Sequence, residues 1–184
     1  MRNFRFSLWL SLAWLAIPLS AGAQVESTPI PAAPKPSFAS MNFLVGTWRC
    51  STKSSRRPVA YQTTSTYARD ASGYWLEETT TVKPPAWEPT ALRTYDKITY
   101  DADSRRWVDV SYGDQGAYGF TTSPGWKGSS IVWHDAAFVP GAAIRSSSDT
   151  TLTKESPAKF TTSSSFVETG SGRTITVNGI CTKQ

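Results

Sequence analysis

The chain has 184 residues, 39% of them hydrophobic and 18% charged, with 19 Lys and Arg against 14 Asp and Glu for a formal charge of +5. One histidine and two cysteines leave little material for nucleophilic triads or metal clusters. The only basic doublets of the body, Arg56-Arg57 and Arg105-Arg106, are too short to point to nucleic acid.

The first five residues, MRNFR, carry two arginines and no acid, and lead into the apolar run FSLWLSLAWLAIPLS, which closes on Ala21-Gly22-Ala23. That order predicts a signal peptide over 1–23, cut after Ala23. The apolar run is shorter than the roughly 20 residues a bilayer core demands and Pro18 interrupts it, so no membrane anchor is expected after cleavage. No cysteine follows the cut to take a lipid. Removing those two arginines leaves 17 basic residues against 14 acidic ones, an excess of three. The expected location is the periplasm or the exterior. Residues 24–40 hold Pro29, Pro31, Pro34 and Pro36, each fixing φ and removing a backbone donor, which predicts a disordered linker. The remainder, 41–184, suits a single domain with one core.

From Phe43 onward, β-branched and aromatic residues come in short runs separated by Gly, Pro, Asp and Asn, with no sustained helical period. The pattern predicts ten strands: 44–53, 59–69, 74–82, 91–100, 106–112, 117–122, 129–135, 143–153, 159–168 and 173–182. Arg69-Asp70-Ala71-Ser72-Gly73, Asp101-Ala102-Asp103-Ser104 and Thr169-Gly170-Ser171-Gly172 supply the Asx-type acceptors and positive-φ residues of hairpin tips. Regular strands without helices between them predict an all-β domain, an antiparallel up-and-down barrel of about ten strands.

Cys50 and Cys181 lie near the two ends of the domain, and in an oxidising compartment they predict a disulfide. An even strand count makes the first and last strands antiparallel neighbours, where two cysteines on one face can be bridged. Cys50 shares its alternation face with Leu44 and Trp48, and Cys181 with Ile175 and Val177. Their pairing requires the first strand to run past Lys53 to meet Ile175.

No catalytic residue, metal site or cofactor is expected. His134 has one acidic neighbour, Asp135, which strand alternation places on the opposite face. Asp101 and Asp103 lack the glycine and distal glutamate of an EF-hand loop. Of Glu77 and Glu78, one faces inward by alternation. Six tryptophans remain after export, Trp48, Trp75, Trp87, Trp107, Trp126 and Trp133, which either fill the core or line a cavity for a ring-bearing ligand. Asp109 shares a face with Trp107, so an inward Trp107 places a carboxylate inside the barrel.

The string FLVGTWRC at Phe43–Cys50 resembles the G-x-W opening of lipocalin-like barrels, and with YDKITYDADSRRWVDV at Tyr95–Val110 the chain looks most like an uncharacterised secreted bacterial family of lipocalin-like domains, distantly related to nitrobindin. The resemblance implies that Gly46 and Trp48 close the barrel base. It also implies that a haem-ligating histidine belongs near the C-terminus, where TITVNGICTKQ has none. The leading expectation is an exported barrel that binds a small hydrophobic or aromatic molecule without catalysis, through Trp75, Trp107, Asp109, Tyr118 and His134. Two alternatives stand beside it: an envelope module contacting glycan or protein through exposed aromatics such as Trp87 and Trp126, and a haem protein in which His134 reaches the cavity.

Overall fold

The computed structural model describes residues 32–57, 59–83, 92–139, 144–145, 149–168 and 171–184, with 136–139, 144–145 and 168 described by backbone alone. The expected signal peptide, residues 24–31 of the linker, Trp87 and residues 169–170 of the last hairpin tip lie outside the described residues. Residues Pro34–Gln184 form one compact unit, which carries every described strand.

Among the described residues a short 3-10 helix, Ala39–Leu44, precedes twelve strands: β1 Gly46–Ser54, β2 Tyr61–Arg69, β3 Leu76–Val82, β4 Leu92–Asp101, β5 Arg106–Gly113, β6 Tyr118–Ser123, β7 Trp126–Lys127, β8 Ser130–Val139, β9 Ile144–Arg145, β10 Thr150–Ser156, β11 Lys159–Glu168 and β12 Thr174–Lys183. Ten of them form a closed antiparallel barrel. Neighbours run β10-β11-β12-β1-β2-β3-β4-β5-β6-β8, and β10 pairs β8 to complete the ring. The two-residue strands β7 and β9 are additions, pairing with β8 and β11. Closure leaves no free edge along the ten-stranded ring, which removes the template for edge-to-edge association.

The seam joins the first strand to the last. Trp48 pairs Lys183, Cys50 pairs Cys181 and Ser54 pairs Val177, so β1 runs one residue past Lys53 and its pairing stops short of Ile175. Ser55 extends the seam by donating its amide to the Thr176 carbonyl at 2.8 Å. Cys50 and Cys181 face each other directly, with Cα atoms 4.0 Å apart, and form a disulfide across 131 residues of sequence. Such a bond fits an oxidising compartment. No helix among the described residues is long and apolar enough to cross a membrane.

Two sequence expectations are corrected at the chain entry. Leu44 belongs to the 3-10 helix, not to the first strand. The linker also ends earlier than residue 40, because Phe38 is 2% exposed and Met41 and Leu44 are buried with it. Phe38 packs on Trp107 with ring centroids 5.4 Å apart, and the Arg69 guanidinium lies over the Phe38 ring, 3.7 Å from its centroid. This segment closes the end of the barrel where β1 begins, covering apolar side chains that ten strands alone would leave open. The eighth predicted strand, 143–153, is likewise divided: β10 starts at Thr150, and Ile144–Arg145 pairs separately with β11.

Gly46 and Trp48 stand at the start of β1. Gly46 has φ +121, a region closed to most side chains, and a Cβ there would lie 3.0 Å from the Lys183 Cε. Trp48 is wholly buried, donates its indole N–H to the Leu44 carbonyl at 2.6 Å and meets Phe160 at 4.7 Å between ring centroids. Lys183 covers it from outside and donates to the Phe43 carbonyl at 2.9 Å.

The hairpin tips follow their side-chain chemistry. Asp70 accepts from the amides of Ser72 and Trp75, while Gly73 adopts φ +76. Asp101 accepts from the Asp103 amide and the Ser104 hydroxyl, so the Asp101–Asp103 pair is a turn, as its residue types suggest.

Candidate functional site

Strand alternation decides which side chains enter the barrel, and cross-strand register decides which of them meet. Two inward rows carry the chemistry. In one, Tyr67 on β2 pairs Glu78 on β3, Glu78 pairs Asp96 on β4, and Asp96 pairs Ser111 on β5. In the other, Leu76 pairs Ile98, Ile98 pairs Asp109, Asp109 pairs Thr121 and Thr121 pairs Asp135. A register shift between β6 and β8 falls beside Thr121, a bulge of the kind that re-aims a side chain within a sheet.

These rows border a cavity of about 220 Å³. Tyr67, Glu78, Asp96 and Asp109 form one part of its wall, and Met41, Leu44, Ile98, Trp126, Ile131, Trp133 and Leu152 supply most of the apolar remainder. Asp96 also borders a more open recess of about 210 Å³ toward Tyr112 and Tyr118. Tyr67, Glu78 and Thr162 border a third space of about 150 Å³ that reaches the disulfide. The interior is therefore not packed solid, and its spaces share polar walls.

The hydrogen bonding inside is incomplete. Thr80 donates to the Glu78 carboxylate at 2.7 Å, which leaves Ser65 to donate to Thr80 at 2.6 Å. Asp109 Oδ1, Asp135 Oδ2, Thr121 Oγ1 and Trp126 Nε1 are buried without a hydrogen-bond partner among the described residues. A buried polar atom without a partner costs roughly 1–3 kcal/mol, and native proteins hold few of them. Burial, and after it the charge of Glu78, raises the Asp109 carboxyl to about 7. Burial, then the charges of Glu78 and Asp109, holds Asp96 well above the usual carboxylate range. Burial followed by the Glu78 carboxylate keeps the Tyr67 phenol well above its ordinary 10.0.

The five residues expected in the cavity separate. Asp109 borders it. Trp107 faces inward and is buried, but it packs on Phe38 and Tyr100 in the closed end of the barrel instead of bordering the cavity. Trp75 precedes β3 at the β2–β3 hairpin and is half-buried; its neighbour Leu76 takes the inward position. Tyr118 is exposed at the start of β6, on the rim of the open recess. His134 is exposed and pairs with Asp149 at 2.5 Å, because Trp133 occupies the inward position and alternation sends the next residue outside.

The outward histidine bears on the haem alternative. It is the only histidine of the chain, and no histidine is among the described residues that border the cavity, so the interior does not fit a histidine-ligated haem. The interaction-module alternative loses Trp126, which is half-buried, meets Phe43 at 5.7 Å and borders the cavity; Trp87 lies outside the described residues. Sequence reasoning does not single out Tyr67, Asp96 or Ile131 among the residues of the cavity wall; it names Trp133 only with the other tryptophans and Glu78 only as one of a pair. The available signal is parity: Glu78 shares a strand face with Leu76, and Asp96 with Ile98.

No protein-family model matches the sequence, and no curated protein matches it. Among solved structures, the one described as "Structure of EF1p2_mFAP2b bound to DFHBI" is similar over 78% of this chain and 96% of that one, with 10% identity and a TM-score of 0.46. At that level the likeness carries no statement about ligand or function.

Proposed function

We propose that this chain is an exported barrel that binds a small molecule with a ring or short apolar body in its interior, without catalysing a reaction on it. The observation that carries the reading is the cavity of about 220 Å³, bordered by Trp126, Ile131 and Trp133 together with the half-buried side chains of Glu78, Asp96 and Asp109. Apolar walls with a few convergent polar groups are the common form of a small-molecule site. A cavity of about 150 Å³ takes up benzene, whereas drug-sized ligands need at least about 300 Å³. The space here fits a single ring or a small fused ring.

Native mass spectrometry of the protein purified from its own host tests this reading. The expected result is a fraction carrying one small organic molecule, lost on denaturation. Recovery of the bare chain alone, with no uptake from the host's small-molecule extract, contradicts it.

A further inference from the structure

The described ion pairs all stand on the exposed outer surface: Lys97 with Glu77, His134 with Asp149 and Lys159 with Glu155. The interior is different. Glu78, Asp96 and Asp109 border one cavity, Glu78 and Asp96 are directly paired across strands, and no lysine, arginine or histidine is among the described residues that border it. Buried charges in proteins are ordinarily paired or neutralised. Asp109 Oδ1 goes further, being closed off from solvent without a hydrogen-bond partner among the described residues.

Given that the interior is a ligand site, as proposed above, we infer that its ligand is an organic cation: an ammonium group on a ring or short apolar body. The ammonium lies against Glu78, Asp96 and Asp109, and the body lies against Trp126, Ile131 and Trp133. An ammonium supplies donors, which acid side chains short of internal donors require. A bare metal ion fits less well, because no group of three or more His, Cys, Asp or Glu side chains among the described residues converges closely enough to hold one. After the expected cut the chain keeps 17 basic residues against 14 acidic ones, so non-specific attraction does not draw cations to it.

The test uses protein expressed from the full-length sequence in an exporting host and three probes of one shape: phenethylamine, 2-phenylethanol and phenylacetate. Dissociation constants are measured at pH 8 by calorimetry, with the indole N–H signals of Trp126 and Trp133 locating the bound probe by NMR. Phenethylamine is expected to bind at least about tenfold more tightly than 2-phenylethanol, with phenylacetate weakest. In Asp96→Asn/Asp109→Asn the preference for the amine over the alcohol is expected to fall below about threefold while the alcohol still binds. Should that variant not fold, Glu78→Gln, which keeps an oxygen for the Thr80 hydroxyl, carries the same comparison. Equal or tighter binding of 2-phenylethanol overturns the cation inference and leaves the ligand site standing. A preference for the amine that survives in the folded variant also overturns it. Failure of all three probes to bind overturns both.

Discussion

Replacing Asp109 by asparagine should stabilise the empty protein at pH 8 and do almost nothing at pH 4. The carboxyl is raised from its ordinary 3.8 to about 7 in the fold, so between those values the folded chain holds a proton that the unfolded chain has released. Stability therefore falls as pH rises through this window, and the penalty is complete above about pH 7. A gap of this size corresponds to an upper figure of about 4 kcal/mol. The residue as a whole is half-buried although Oδ1 is closed off, and solvent screening reduces the expected gain to about 2–3 kcal/mol. Asparagine has nearly the same shape and no charge, so it removes the penalty without opening a void. Urea denaturation followed by tryptophan fluorescence, with the disulfide intact, reads the difference. The variant's midpoint should exceed that of the parent at pH 8, and the two curves should converge toward pH 4. A variant equally destabilised at both pH values would show that the Asp109 carboxylate has a partner in the fold, and would refute the reasoning.

The fold itself sets three further outcomes. Replacing Cys50 and Cys181 together by alanine should lower stability by roughly 4–5 kcal/mol at most, the chain-entropy value for so long a loop, read as the difference in urea midpoint from the oxidised parent. Trp48→Ala should cost about 3–5 kcal/mol, because its side chain is wholly buried against Phe160 and its N–H anchors Leu44; thermal melting by circular dichroism checks this. His134→Gln should leave both the melting temperature and phenethylamine binding unchanged, since the imidazole stands outside the barrel with Asp149 as an exposed partner. A loss of binding in that variant would place the site elsewhere.

The barrel is legible in the sequence because closure needs only period-two alternation, turn chemistry and an even strand count, and all three are written locally in the chain. Cys50 and Cys181 add a long-range constraint that places the seam. The entry segment is not legible in the same way. Phe38 stands in proline-rich surroundings that resemble a linker, and its burial depends on Trp107 and Arg69, which arrive from distant strands. The site is half legible for a related reason. Asp109 stands out through its parity with Trp107, yet the same rule applied to Leu76 and Ile98 points to Glu78 and Asp96. His134 stands out as a rare residue type, whereas position favours its neighbour Trp133. What no single strand can reveal is that three acid-bearing strands stand side by side, with no cation among the described residues of the cavity wall, a property of register across the sheet.

A crystal structure of the protein purified from its own host, without ligand exchange, bears most directly on the claim that the interior is a ligand site. The account predicts electron density for one small organic molecule in the cavity, with a donor within hydrogen-bonding distance of Asp109 Oδ1 and its body against Trp133. An interior closed by rearranged side chains, or filled by ordered water alone, would contradict it.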